Sequence, residues 1–253
     1  MMRRFFVSPE KIHLDEPEIE GQDVRHIRTV LRLGPGDDVV VFDGTGAEYA
    51  AHIVSLDNRK VRIALSERLV SVAESPIEIT LAQGYLKDKK MDELVRRTTE
   101  LGVARWIPFI ARRSVPHPDA KRHQARLERW RKISLEAVKQ CRRSRPMAIE
   151  QTLSFEQALV QSHACDLKLF FWEERGQGLM KCTKSRKSPR SVFVMVGPEG
   201  GFESGEHDAA RQHGFQIVNL GPRILRAETA ALAATALTQY LFGDLGQNML
   251  DNS

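Results

Sequence analysis

Near the start of the chain the hydrophobic positions fall in short β-branched runs, not in long helical stripes. Val39-Val40-Val41-Phe42 is one such run, and an apolar-rich stretch returns over 48–56 after Asp43-Gly44-Thr45-Gly46. Glycine takes φ > 0 without steric cost, so the four residues between the runs predict a turn and the whole a hairpin. Val61-Arg62-Ile63-Ala64-Leu65 alternates apolar and polar residues, the period of a half-buried strand. One helix is predicted over 23–31, ended by Gly34-Pro35-Gly36. Several short strands around one helix describe a small β-barrel.

The pattern changes between residues 71 and 76, which places a domain boundary there, with 1–72 on one side and 73–253 on the other. Beyond it strands and helices alternate. Strands are predicted over 77–82, 105–111, 167–172, 192–196 and 215–220. Helices are predicted over 89–101, about 119–141, 204–213 and 228–242. Gly102, Gly214 and Gly243 follow three of these helices, and Ser204 is the expected cap of the third, with Glu206 and Asp208 in its first turn. Such alternation predicts an α/β domain, a mostly parallel sheet with helices on both faces. No internal repeat is visible, and 181–190 reads as a basic, serine-containing loop.

Composition narrows the class. At 42% hydrophobic and 28% charged residues the chain is expected to fold and not to be disordered. A net charge of +5 admits a nucleic-acid partner but suits an ordinary surface equally well. Cys141, Cys165 and Cys182 are odd in number and widely spaced, which argues against a disulfide framework or a zinc knuckle and for free thiols in a reducing cytosol. No apolar stretch follows the charged N-terminus and none approaches a membrane span, so a cytoplasmic protein without a membrane partner is expected. His207 and His213 are six apart on one helix and no HExxH occurs, so no metal site is expected.

Two segments carry candidate chemistry. Gly197-Pro198-Glu199-Gly200-Gly201-Phe202 directly follows a buried strand, where ligands of open α/β sheets sit. Phe202-Glu203 in place of Lys-Ser/Thr excludes a P-loop, and the GxGxxG spacing is absent. The acidic Glu199 disfavours a phosphate ligand and suits a cationic one. Taken alone, the three glycines describe a plain strand-to-helix turn at least as well. The second segment, Leu220-Gly221-Pro222-Arg223-Ile224-Leu225-Arg226-Ala227-Glu228-Thr229-Ala230, also leaves a strand and opens a helix. Its Ile224-Leu225 pair could wall an adenine, and the helix start leaves free N–H groups. Arg226 and Glu228 could equally form a surface ion pair.

Together, GPEGGF followed by ILRAETA resembles the RsmE family of 16S ribosomal RNA uracil-N3 methyltransferases, within the SPOUT superfamily. The similarity runs nearly end to end. Arg4-Phe5-Phe6, His26, Val30-Leu31-Arg32 and Gly36-Asp37 match the family's opening domain. Gln83, Lys87, Glu100-Leu101-Gly102-Val103, Pro108 and Arg113-Ser114-Val115 match its middle, and Glu136-Ala137 with Gln140-Cys141-Arg142-Arg143 match a further motif. Arg97 departs from the family's usual lysine, which keeps charge but changes hydrogen-bond geometry.

The resemblance implies a PUA-like β-barrel domain for RNA binding, then a SPOUT domain whose parallel sheet ends in a C-terminal trefoil knot. It implies S-adenosylmethionine as cofactor, bordered by Gly197, Pro198, Glu199, Gly200, Gly201, Leu220, Gly221, Ile224, Leu225, Arg226, Thr229 and Ala230. It implies a homodimer, for which the alanine-rich last helix is a reasonable face, and 16S ribosomal RNA in the small subunit as partner. Uracil N3 carries a hydrogen that must leave before N3 can attack. Arg226 is the candidate cation for the resulting anion, and Glu199 or Glu228 the candidate proton acceptor. Arg3, Arg4, His26, Arg32, Lys87, Arg113, Arg142 and Arg143 are the candidate RNA contacts, while Phe5 and Phe6 are more readily core than base-stacking residues. Rival readings are a SPOUT ribose 2′-O-methyltransferase, a non-catalytic ribosome-assembly protein and a small-molecule enzyme with an incidental basic surface.

Overall fold

The computed structural model describes residues 3–70, 74–87, 89–115, 120–174, 176–183 and 189–246. The chain divides into two units, Met1–Glu74 with Leu135–Pro146, and Ser75–Ser134 with Met147–Ser253. A single boundary at 72/73 does not express the return of Leu135–Pro146 to the first unit. That stretch begins inside a continuous helix, so no change of periodicity marks it.

The first unit contains β1 (Arg3–Phe6), α1 (Pro9–Ile12), β2 (Glu18–Glu20), α2 (Gln22–Arg25), a π-helical turn (His26–Leu31), β3 (Asp38–Phe42), β4 (Glu48–Leu56) and β5 (Lys60–Leu69). The strands follow the path β1-β3-β4-β5-β2, with β1 and β3 parallel and the other neighbours antiparallel. The expected hairpin is β3–β4, with Val40 opposite Ala50. Alternation sends Val39, Val41, Ile53, Val61 and Ile63 inward, onto Phe5, Ile12 and Ile27. Phe5 is therefore core, and Phe6 packs on Phe42 with ring centroids 5.7 Å apart. The helix predicted over 23–31 is present as α2 and the π-helical turn, ending at Leu31, but its stop is not the expected glycines. Arg32 turns left-handed at φ 56 and Leu33 N–H bonds back to the Ile27 carbonyl at 3.0 Å, before Gly34 is reached.

The second unit runs β6 (Glu78–Gly84), α3 (Lys90–Glu100), β7 (Arg105–Ile110), α4 (Ala120–Cys141, of which residues from Leu135 belong to the first unit), β8 (Ala148–Ile149), β9 (Leu153–Ser154), α5 (Phe155–Val160), β10 (Leu167–Phe171), β11 (Gln177–Gly178), α6 (Leu179–Thr183), β12 (Ser191–Val196), α7 (Ser204–Gln212), β13 (Gln216–Asn219) and α8 (Ala227–Phe242). Helix α6 occupies the start of the basic loop expected over 181–190, and residues 184–188 of that loop lie outside the described residues. The sheet is parallel throughout, in the order β11-β13-β10-β12-β6-β7-β8, with β9 also on β7.

Strand β12 is central, so both its faces are apolar and Val192 to Met195 are fully buried. One face of the sheet packs Leu81, Trp106, Leu169 and Val194 against Met91, Leu94 and Val95 of α3, Leu127 and Trp130 of α4, and Ala231 and Ala234 of α8. The other packs Ile107, Phe170, Phe193 and Ile217 against Phe155 of α5 and Ala210 of α7. Burial at Met91, Leu94, Val95, Thr98 and Thr99 is the three-four spacing of an amphipathic helix, and Gly102 at φ 81 stops it. Chain order reverses between β6 and β12, so the carboxyl ends of these strands open on a switch point where a ligand crevice forms.

Candidate active site

The loop after β12 is shaped by what its residues touch. Phe202 is 2% exposed, with its ring 4.2 Å from Phe170, and it anchors the far end of the loop in the core. Gly201 turns the chain at φ 69, its N–H bonding the Pro198 carbonyl at 3.0 Å. A Cβ there would lie 2.6 Å from Glu173 Oε1, a side-chain tip that can move aside, so it is the left-handed backbone that calls for glycine. At the near end the buried Gln83 amide donates to the Gly84 carbonyl at 2.9 Å and the Gly197 carbonyl at 3.1 Å. Glu206, also 2% exposed, accepts from the N–H groups of Glu203 at 2.9 Å and Arg112 at 3.0 Å. The cap of α7 is thus Glu203, not the expected Ser204, because Glu206 reaches back one residue further.

Gly84 lies directly beneath this loop. An added Cβ would press on the Pro198 nitrogen, 2.6 Å from its Cδ and 2.7 Å from the Gly197 carbonyl carbon. These are backbone and ring atoms that cannot swing aside. Gly84→Ala is expected to lower stability by about 1–3 kcal/mol and to displace the loop, which thermal unfolding and cofactor titration would both register.

Helix α8 starts at Ala227 with Arg226 in extended conformation as its cap residue. Lys90, at the start of α3, joins this second loop to the first. Its Nζ is 2.7 Å from Glu199 Oε1 and 3.5 Å from Glu228 Oε1. Glu199 Oε2 also accepts from the Lys87 N–H at 3.4 Å, while Glu228 Oε2 is buried without a hydrogen-bond partner. The Arg226–Glu228 pair suggested by their spacing is absent. Glu228 turns to Lys90, and Arg226 stays exposed with no ion pair among the described residues.

Around these groups opens a cavity of about 670 Å³. Every residue expected to border a cofactor lines it except Thr229, which is exposed on the first turn of α8. The three candidate catalytic residues, Glu199, Arg226 and Glu228, line it too. So do Lys87 and, beyond expectation, Lys90, Phe171, Trp172 and Glu173. Nothing in the spacing of Lys90 from residues 199 and 228 signals the bridge.

The other candidate RNA contacts divide. Arg113 donates to the Gly200 carbonyl at 3.4 Å and lies 3.9 Å from Glu203. Arg4 makes a two-pronged pair with Glu48 at 2.9 and 3.0 Å and donates to the Arg143 carbonyl at 2.7 Å. Arg143 is 4% exposed and donates to Glu74 at 3.1 and 3.2 Å. Both are internal ties of the first unit, since a buried guanidinium already held by a carboxylate has little left for a phosphate. Arg3, His26, Arg32 and Arg142 remain exposed. Among the described residues no group of three or more metal-ligating side chains is found, and no helix is long and apolar enough to cross a membrane. Cys141 and Cys165 are free thiols, and burial raises the pKa of Cys165.

Two family models match the chain, an RNA methyltransferase domain over residues 73–239 and an RNA methyltransferase PUA domain over 19–66. The class is that of RNA methyltransferases with a PUA-like N-terminal domain. Ribosomal RNA small subunit methyltransferase E of Bacillus subtilis (strain 168) is 32% identical over 247 residues, covering 94% of this chain and 96% of its own. A ribosomal RNA small subunit methyltransferase E from Neisseria gonorrhoeae, bound to S-adenosyl methionine, superposes with a TM-score of 0.85 at 32% identity, covering 96% of this chain and 99% of that one. A Legionella pneumophila methyltransferase in complex with the same cofactor gives 0.88 at 29% identity over 96% and 99%. The chain belongs to the RsmE family, the ribosomal RNA small subunit methyltransferases E.

Proposed function

We propose that this chain methylates N3 of a uridine in 16S ribosomal RNA, using S-adenosylmethionine, as a cytoplasmic homodimer acting on the small ribosomal subunit. The observation that carries the reading is the coincidence of both motif loops on one cavity at the sheet's switch point. The cavity fits the cofactor in size, within the roughly 300–1,000 Å³ usual for such ligands. It fits in charge as well, because Glu199, Glu228 and Glu173 face it and suit a ligand with a sulfonium and an amine. Val196, Leu220, Ile224 and Leu225 supply apolar wall for a purine. When bound, the cofactor supplies an electrophilic methyl group.

The chain's own part is to hold the uracil and move its N3 proton. Glu199 has both oxygens engaged, by Lys90 and by the Lys87 N–H, so it is the worse acceptor. Glu228 keeps Oε2 buried and free at the cavity wall, and we assign it the proton. The unpaired Arg226 guanidinium at the same cavity stabilises the imide anion left behind. N3 lies on the Watson–Crick edge, so the base must arrive unpaired or flipped out.

Three further assignments belong to the same reading. Residues 1–72 serve as the RNA-binding domain and 73–253 as the methyltransferase domain. The C-terminal segment forms a trefoil knot: β12 is laid between β6 and β10 and β13 beyond β10, yet α8 returns to pack on α3. The outer face of α8, with Leu237 at 41% and Tyr240 at 65% exposed, forms the dimer contact.

Lys90→Met is expected to weaken cofactor binding about tenfold, because it unties the two loops and leaves Glu199 beside Glu228 without a cation, and Lys90→Arg to restore part of it. The hydrogen bond that Lys90 donates to Glu199 is the main cause that raises the Lys90 pKa. A raised lysine keeps its bridge at every pH below its ordinary value and loses it only as pH climbs through the raised one. Calorimetry between about pH 7 and 9 should therefore show no loss from this group.

The decisive test is methyl transfer from labelled cofactor to small subunits lacking the modification, followed by nucleoside mass spectrometry. 3-Methyluridine is expected; a 2′-O-methyl nucleoside would reassign the reaction, and absence of cofactor binding would overturn the reading.

A further inference from the structure

We propose that Arg223 is a further catalytic residue, whose guanidinium donates to the second carbonyl oxygen of the target uracil while Arg226 holds the first. The proposal rests on the uracil-N3 reading and deepens it. Once N3 gives up its proton, the charge of the imide anion spreads onto O2 and O4, the two carbonyl oxygens that flank it. One cation serves one of them, and an oxygen left without a donor in a closed site forfeits much of the stabilisation. The site therefore needs a second donor, across N3 from the first. Among the described residues four cationic side chains line the cavity: Lys87, Lys90, Arg223 and Arg226. Lys90 is spent on Glu199 and Glu228, at 2.7 and 3.5 Å. Arg226 already has its oxygen. Lys87 and Arg223 remain, both exposed and with no ion pair among the described residues.

Position decides between them. Lys87 follows β6, where its N–H lies 3.4 Å from Glu199 Oε2, beside the carboxylate already tied by Lys90. Arg223 stands on the same segment as Arg226 and as Glu228, the acid assigned the N3 proton. That segment is fixed at both ends. Asn219 donates to the Gly176 carbonyl at 2.6 Å and accepts from the Gly221 N–H at 3.2 Å, and Gly221 turns the chain at φ 99. At the other end Arg226 caps α8. The anchored backbone between residues 223 and 228 thus brings two guanidinium donors and one carboxylate acceptor to one cavity. Uracil offers the complement on its Watson–Crick edge, two acceptors with an N–H between them. Cytosine does not: its amino group would set a donor against a guanidinium, and its bare N3 an acceptor against Glu228. A guanidinium is also the better reader of the two cations left, since its planar fork fixes direction where an ammonium acts as a point charge.

The test uses the full chain with Arg223→Gln, Arg223→Lys and, for comparison, Lys87→Gln. Arg223 is exposed, so its loss does not threaten the fold. The substrates are small subunits lacking the modification, prepared from cells grown with and without 5-fluorouracil. Fluorine on the ring withdraws electrons and acidifies N3, so a fluorinated target needs less help to hold the anion. On uridine Arg223→Gln is expected to lower kcat about a hundredfold, the usual cost of one lost anion-stabilising donor. The KM for the subunit and the cofactor affinity should stay near those of the parent chain, and Arg223→Lys should recover part of the loss. On 5-fluorouridine the loss should shrink to about tenfold or less, because the proton leaves more readily. An equal loss on both targets overturns the proposal, since a packing or positioning role does not follow the acidity of N3. So does a raised KM with parental kcat, the mark of a phosphate contact, and so does the same pattern in Lys87→Gln with Arg223→Gln unaffected. If the parent chain makes 3-methyluridine and Arg223→Gln makes it at the parental rate, Arg223 alone falls. If the parent chain makes none, the uracil reading falls and takes Arg223 with it.

Discussion

Glu228→Gln is expected to lower kcat for methyl transfer by about a hundredfold or more, within the usual range for loss of a positioned base, and to leave cofactor affinity within severalfold. Glutamine keeps the shape of the side chain and an oxygen that can still face Lys90, now 3.5 Å from Glu228 Oε1. It cannot accept a proton on the buried, unpartnered position that Oε2 holds in the parent chain. Glu199→Gln is the control: its carboxylate is held by Lys90 at 2.7 Å and by the Lys87 N–H, so the substitution should move cofactor binding more than kcat. A Glu228→Gln enzyme with parental kcat would remove this residue from the proton's path. One that no longer bound cofactor would make Glu228 a binding residue instead.

Glu74→Ala is expected to cost about 3 kcal/mol of stability, with no direct effect on the reaction cavity. One Glu74 oxygen faces the Arg143 guanidinium at 3.1 and 3.2 Å, and the other accepts from the N–H groups of Ser144 at 3.0 Å and Arg145 at 2.8 Å. Arg143 is 4% exposed, so removing the carboxylate takes the counter-charge from a group that solvent barely reaches. The same change releases two backbone donors at the bend after α4. For a chain of this size the thermal midpoint should fall by about 6–12 °C. Arg143→Met should cost less, because it removes the buried charge itself, and Glu74→Ala/Arg143→Met less than the sum of the two. Strict additivity in that cycle would mean that the pair is not coupled.

The elements with strong periodicity were legible. The three-four pattern of α3, the β-branched run of β3 and the continuous apolar run of β12 were read correctly, because a helix and a buried strand bury residues at different spacings. Strand β1 was not legible, since Arg3-Arg4 reads as surface. Arg4 lies inside only because Glu48, far along the chain, meets its guanidinium there. The helix before Arg32 ends at Leu31, where its pattern put it, but its stop was misread: the Leu33–Ile27 bond closes it before the glycines can. Short pieces such as β8, β9 and β11, two residues each, carry no period at all.

The cofactor loops were legible because their chemistry is local. Glycine, proline and one acid in a row at a strand end mark a tight turn open to a ligand, and residues 197–201 and 220–226 all border the cavity except Pro222. Everything that depends on two distant side chains meeting was decided only by the tertiary structure. Lys90 bridges Glu199 and Glu228 across more than a hundred positions, Gln83 holds the Gly197 carbonyl, and Glu74 holds Arg143. The same holds for which arginines are spent and which are free. Arg4 and Arg143 sit beside Arg3 and Arg142 in sequence and differ from them only in what the fold brings within 4 Å. A sequence determines local backbone preference and the face a residue takes; the balance of buried charge is a sum over the whole packed chain, and only packing completes it.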